Sequence, residues 1–197
     1  FDPLEFPPKY SASVDVPDKQ LFIFSAPSGC GKTSLAQALI NSRDDVAIAT
    51  SHTTRAMRPG EQDGVDYFFV DVPTFDSMIS NGAFLEYARV FDNLYGTSVA
   101  AADALMDAGK HVIQDIDWQG ARQVRERFPE VISIFIVPPS VEILEERLRG
   151  RGQDDEATIA RRMQGAKNEL AHQDEYDHIV VNDDFSAALA ELSALLQ

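Results

Sequence analysis

The chain has 197 residues, 44% of them hydrophobic, and its 17 Lys and Arg are outnumbered by 32 Asp and Glu, for a formal net charge of −15. That length suits one domain with subparts, and the acidic balance argues against nucleic acid or an anionic membrane as partner, because both reward spread basic charge. A single cysteine excludes an internal disulfide and no apolar run nears the roughly 18 to 20 residues of a membrane span, so a cytoplasmic protein is expected.

Residues 1–19 combine Pro3, Pro7, Pro8 and Pro17 with Asp2, Glu5, Asp15 and Asp18. They lack the basic start and apolar middle of a signal peptide and are expected to form a flexible arm. Leu21 to Phe24 reads as a buried strand leading into Ala26-Pro27-Ser28-Gly29-Cys30-Gly31-Lys32-Thr33-Ser34. Gly29 and Gly31 let the backbone bend so that successive N–H groups face one anion, and a helix from Lys32 to Asn41 adds its positive dipole end. Lys32 can reach the outer phosphates of a nucleotide and Thr33 can place its hydroxyl on Mg²⁺. The spacing fits A-x-x-x-x-G-K-T, with Ala26 where the usual pattern has its first glycine.

Val46 to Ala49 is the next strand. Between Thr50 and Thr97 the texture changes to short pieces, Asp66 to Asp71 and Phe84 to Val90, broken by Pro59-Gly60, Asp63-Gly64 and Asn81-Gly82. These predict an inserted lobe built as a small antiparallel sheet that faces the cradle. Strands at His111 to Asp115, Val131 to Val137 and His178 to Val181 then alternate with helices at Val99 to Ala108, Gln119 to Phe128, Val141 to Arg149, Ala157 to Ala171 and Ser186 to Leu196. The alternation predicts an α/β fold, a parallel sheet core flanked by helices.

Arg55 and Arg58 lie three apart, and guanidinium forks suit a phosphate monoester because each donates two parallel charge-assisted hydrogen bonds. Tyr67 and Tyr95 offer hydroxyl donors to the same group. The run Ser51-His52-Thr53-Thr54-Arg55-Ala56-Met57-Arg58-Pro59-Gly60-Glu61 resembles guanylate kinase in order and spacing, as do Gly64-Val65-Asp66-Tyr67-Phe68-Phe69, Phe84-Leu85-Glu86-Tyr87-Ala88, Tyr95-Gly96-Thr97 and Asp115-Ile116-Asp117-Trp118-Gln119-Gly120. The likeness covers the chain from about Gln20 to its end. It implies an Mg²⁺-dependent transfer of the γ-phosphoryl of ATP to GMP, giving ADP and GDP, on a P-loop core with a GMP-binding lobe and a helical lid. The implied division is core at 20–50, 98–137 and 172–197, lobe at 51–97 and lid region at 138–171.

By the same resemblance Arg55, Arg58, Tyr67 and Tyr95 hold the GMP phosphate, and Glu61 and Gly96 belong to the GMP-binding runs. Glu86 is the carboxylate for guanine, whose N1–H and amino group stand side by side, with Ser51 and Thr97 as hydroxyl partners; adenine has no such donor pair. Asp115 and Asp117 end a strand where such enzymes place carboxylates toward Mg²⁺ or the acceptor, and Asp117 can also cap the following helix. Lys32, Arg55 and the lid arginines Arg147, Arg151 and Arg162 are the implied catalytic set, with Gly150 and Gly152 as hinges. Arg149 and Arg161 are expected to be solvated or to pair with Glu145, Asp154 or Asp155. Acceptance of dGMP, and a monomer against a homo-oligomer, are not separated by these patterns.

Three residues carry open alternatives. Asn182, in Val181-Asn182-Asp183-Asp184, either hydrogen-bonds the adenine edge or caps the last helix. Cys30 is either a thiol activated by the helix dipole or a small side chain turned away from phosphate. His52 is a packing or surface residue, and Trp118 a core or lobe-facing aromatic. Two other protein classes share features with this pattern. A kinase for another nucleoside monophosphate would lack the Glu86 and Ser51 set, and guanylate-kinase-like scaffold domains carry a degraded cradle, whereas Lys32 and Thr33 are intact here.

Overall fold

The computed structural model describes residues 20–90, 92–150 and 155–196. The amino-terminal arm expected at 1–19, together with Arg151, Gly152 and Asp154, lies outside them. Strand β1 (Leu21–Ser25) leads into helix α1 (Lys32–Ser42), followed by β2 (Val46–Ile48). A lobe of β3 (His52–Thr53), β4 (Phe68–Phe69), α2 (Val72–Ser80), β5 (Phe84–Val90) and β6 (Asn93–Ser98) comes next. The chain then alternates α3 (Val99–Asp107), β7 (His111–Asp115), α4 (Trp118–Arg127) and β8 (Ile132–Val137). Helices α5 (Val141–Gly150) and α6 (Glu156–Leu170), a 3₁₀ turn (Gln173–Glu175), β9 (His178–Val181) and α7 (Phe185–Leu195) complete it.

Among the described residues the main sheet has five strands in the order β2-β7-β1-β8-β9, and every pairing in it is parallel. Strands β1, β7 and β8 are almost wholly buried because helices cover both faces, whereas the edge strand β9 leaves Ile179 and Val181 exposed. Phe22 and Phe24 pack with Leu35, Leu39, Ile113 and Leu192 in one cluster, while Leu21 and Ile23 pack with Val112, Val124 and Phe135 in another. Alternate residues of β1 thus serve opposite layers. The central position of β1 puts the Ala26 to Ser34 turn at the carboxyl edge of the sheet, beside Asp115 at the end of β7. Among the described residues no helix is long and apolar enough to cross a membrane.

The second sheet, ordered β4-β3-β6-β5, differs from the expected antiparallel lobe in two ways. Strand β4 is only Phe68–Phe69 and runs parallel to β3, the remaining pairs being antiparallel. Helix α2 also stands where no helix was expected. Its start is set locally: the Asp71 side chain accepts the Thr74 N–H at 2.8 Å and Pro73 occupies the first turn. Only Phe75 of α2 is fully buried, stacked on Phe84 with ring centroids 4.5 Å apart. Because Phe75, Phe84 and Leu94 form the lobe's own small core, Phe75→Ala is expected to cost about 3 to 5 kcal/mol. Urea unfolding checks this; a loss below about 1 kcal/mol would mean that the lobe does not rely on this contact.

Candidate active site

The turn after β1 reaches its shape through two left-handed glycines, with φ of 96° at Gly29 and 85° at Gly31. Gly31 is the N-cap of α1 and supplies no side chain to it, and the first turn carries no acidic residue. The N–H groups at the start of α1 are therefore left to an external anion. Ala26, Pro27, Ser28, Lys32, Thr33 and Ser34 line a cleft of about 420 Å³ over this helix end. Lys32 forms an ion pair with Asp115. Burial opposes its charge, but the attraction and hydrogen bond of Asp115 outweigh that and lift its pKa above the ordinary lysine value.

The structure bears on two open alternatives at this turn. Cys30 is fully buried among Leu144, Leu148, Ile159 and Met163, and burial pushes its thiol up to about 12, so it is a packing residue rather than an activated nucleophile. Asn182 neither caps α7, whose N-cap is Asp184, nor points its amide outward. Its Nδ2 donates to the Cys30 carbonyl at 2.7 Å, and its amide would lie 2.6 Å from a Cβ on Gly31. It braces the turn from the end of β9.

The same cleft extends to Ser51, Tyr67, Glu86, Tyr95 and Gly96 of the lobe, with Asp115 and Asp117 between the two ends. Glu86 is 3% exposed, and its Oε1 accepts the Thr97 N–H at 2.9 Å. Ser51 and Thr97 hydroxyls lie 3.0 Å apart. Burial pushes the Glu86 carboxyl up to about 7; Thr97 hydrogen bonding opposes this and the charge of Asp117 adds to it. Asp117 also caps α4, accepting the Gly120 N–H at 2.9 Å, and the absence of a Gly120 side chain makes room for Glu86, since a Cβ there would sit 2.6 Å from its Oε2. Gly120 lay within the resembling run but had no role assigned from sequence.

The arginine pair is less uniform. Arg55 lies beside Tyr67, its guanidinium carbon 5.4 Å from the ring, and is held by both oxygens of Glu61 at 3.0 and 2.7 Å. Glu61 also accepts the Arg58 N–H at 2.7 Å, so it shapes the loop, while Arg58 itself is exposed. His52 stacks on Phe68 and meets Phe84 edge-on, which makes it a packing residue.

On α5, Arg147 donates to the Asn182 carbonyl at 3.0 Å, tying that helix to the braced turn. Arg162 lies half-buried on α6. Arg149 pairs with Glu145, as expected, and also with Glu156. Glu169, near the end of α6, lines the cleft without any sequence expectation attached to it.

A parallel sheet carrying an uncapped glycine turn with Gly-Lys-Thr, open to a second polar pocket across one cleft, defines the class: a P-loop nucleotide-binding α/β protein. Comparison with known proteins narrows this. The family model described as guanylate kinase matches residues 18–197. The chain is 62% identical over 176 residues to a guanylate kinase of Chromohalobacter salexigens, covering 89% of this chain and 82% of that protein. It is 55% identical over 177 residues to one of Methylococcus capsulatus, covering 90% and 87%. The crystal structure of guanylate kinase from Anaplasma phagocytophilum superposes with a TM-score of 0.74 at 36% identity, covering 90% of this chain and 84% of that one. The chain belongs to the guanylate kinase family.

Two predictions follow from the Glu86 pocket. Gly120→Ala is expected to displace the carboxylate and raise KM for a guanine nucleotide about tenfold while leaving KM for ATP within about twofold; equal change in both would separate Gly120 from base selection. The second concerns pH. A group raised to about 7 is ionised above that pH and protonated below it, and only the ionised form accepts two guanine donors. KM for GMP is therefore expected to rise by up to about tenfold per unit as pH falls below 7. In Glu86→Gln that component is absent, and parallel profiles for the two proteins would contradict the assignment.

Proposed function

We propose that this protein transfers the γ-phosphoryl of ATP to GMP, giving ADP and GDP, a step of purine nucleotide metabolism in the cytoplasm. The observation that carries the reading is the single cleft lined at one end by Lys32 and Thr33 and at the other by Ser51 and Glu86. The turn from Ala26 to Ser34 holds the triphosphate through backbone N–H groups, and Lys32 neutralises charge on the transferring group. In the lobe Arg55, Arg58, Tyr67 and Tyr95 hold the GMP phosphate, Glu61 fixing the geometry of Arg55. Glu86, with Ser51, Thr97 and the adjacent Gly96, reads guanine. GMP and dGMP share this base edge and both fit the reading.

Asp115 and Asp117 stand between the two nucleotides. Asp115 orients Lys32, and Asp117 fixes the α4 terminus against which Glu86 rests. Arg147, Arg151 and Arg162 of the lid region bring positive charge to the equatorial oxygens as the segment closes and water leaves. Asn182 acts on ATP through the turn it braces. The donor set fits Mg²⁺ that arrives on ATP: Thr33 offers one hydroxyl at the start of α1, and the described residues contain no cluster of His, Cys, Asp and Glu that would hold a metal by itself. Bound there, Mg²⁺ would neutralise phosphate charge.

The test is an ADP-release assay across GMP, dGMP, AMP, CMP and UMP. Turnover with GMP at least about a thousandfold above AMP is expected from a site that pairs polar groups with one base. Comparable rates with AMP would make this a kinase of different acceptor choice. Lys32→Met is expected to lower kcat at least about a hundredfold with the fold intact, and unchanged turnover would remove Lys32 from the chemistry.

A further inference from the structure

Strand β5 is the outer strand of the lobe sheet, and Glu86 lies within it. Its pairing with β6 slips just ahead of that residue: Phe84 stands opposite Ser98 and Glu86 opposite Thr97, which leaves Leu85 as an extra residue between them. A bulge of this kind bends the strand and re-aims the side chain beside it. Here Phe84 goes to the core of the lobe and Leu85 to a core cluster of the main sheet, with Glu86 emerging directly after them. An outer strand with a bulge also leaves backbone groups without a partner strand.

Those groups are taken up by one face of α4. Gln123 Oε1 accepts the Tyr87 N–H at 3.1 Å, and its Nε2 donates to the Tyr87 carbonyl at 2.7 Å. The two bonds copy what a neighbouring strand would offer. One turn further along, Arg127 donates to the carbonyls of Phe84 and Leu85, at 2.7 and 2.8 Å. About one turn before Gln123, the missing side chain of Gly120 leaves the space that Glu86 Oε2 occupies. Positions 120, 123 and 127 are three and four apart and so share a helix face. The helix is itself fixed, because Asp117 caps it at the Gly120 N–H and Val124 is buried in the main core.

We infer that Gln123 is a positioning residue for base selection: by holding both backbone groups of Tyr87 against α4 it fixes the rotation of β5 beside the bulge, and so keeps both Glu86 oxygens in line with two donors on one base edge. The inference rests on the reading of Glu86 as the partner of guanine. Gln123 does not line the cleft, so its effect on the base passes through β5. The role requires a donor and an acceptor on one planar group. A methionine fills similar space and replaces neither bond, whereas a glutamate keeps the acceptor and lacks the donor.

The experiment is calorimetric titration of wild type, Gln123→Met and Gln123→Glu with GMP, with inosine monophosphate and with ATP. Inosine monophosphate keeps the N1–H of guanine and lacks its amino group, so it reports on one of the two bonds to Glu86. Wild type is expected to bind GMP at least about tenfold more tightly than inosine monophosphate. In Gln123→Met the Kd for GMP is expected to rise about tenfold, that for inosine monophosphate by no more than about threefold and that for ATP by no more than about twofold, so the preference for GMP narrows. If the methionine variant does not fold, Gln123→Glu decides, and the same narrowing is expected there. An unchanged Kd for GMP, an equal loss for GMP and inosine monophosphate, or a loss for ATP as large as that for GMP would each overturn the inference. Failure of the wild-type chain to bind GMP would overturn the proposed function and this inference with it, whereas a contrary result confined to the variants strikes the inference alone.

Discussion

The turn between β1 and α1 must hold two left-handed glycines, Gly29 and Gly31, on either side of Cys30 with its N–H groups aimed at open space, and that backbone has no secondary structure of its own to keep it there. Neighbouring elements supply the restraint. Leu144 and Leu148 of α5 close over Gly29, where an added Cβ would lie 2.9 Å from Leu148 Cδ2. Asn182, from the end of β9, hydrogen-bonds the Cys30 carbonyl and sits over Gly31. Cys30 itself is driven into the apolar cluster between α5 and α6. A cradle held this way loses little conformational freedom on meeting an anion, which is the physical meaning of preorganisation. It also places α5 and α6 in direct contact with the turn.

The second constraint is charge. A chain with net charge −15 has to attract two anions into one cleft. It does so by placing a few cations where carboxylates already fix their direction. Lys32 is paired with Asp115, and Arg55 is gripped by both oxygens of Glu61 while lying against Tyr67. Such pairs contribute little to stability when partly exposed. Their value is in orientation, since a guanidinium held in one geometry forfeits less freedom when it meets phosphate. Glu86 obeys the opposite logic. Its burial raises its pKa, and its oxygens are held by Thr97 and by the space that Gly120 leaves.

What could be read from sequence divides along physical lines. Strands β1, β7 and β9 carry short apolar runs, so they were expected within a residue of where they lie. Helix α2 was missed because only Phe75 of its nine residues is fully buried, although Asp71 and Pro73 mark its start. Strands β3 and β6 were missed because His52, Thr53 and Asn93 to Ser98 owe their burial to the tertiary fold rather than to any local pattern. Glycine turn, arginine pair and Glu86 were legible because motif spacing carries them. The role of Asn182 was not, since its partner Cys30 is 152 residues away in the chain. Glu169, which lines the cleft from α6, carried no expectation from sequence, because no motif spacing points to it.

In the proposed function the triphosphate cradle and the guanine pocket face each other across one cleft, close enough for direct transfer. A conjugate joining the 5′ ends of adenosine and guanosine through a polyphosphate chain tests this most directly, because it gains affinity only if both pockets can be filled at once. Calorimetric titration with Mg²⁺ present is expected to give a Kd at least about a hundredfold below those of ATP and GMP alone, with most of the gain lost in Glu86→Gln. A conjugate that binds no more tightly than ATP would mean that the two pockets are not opposed, and would contradict direct transfer between them.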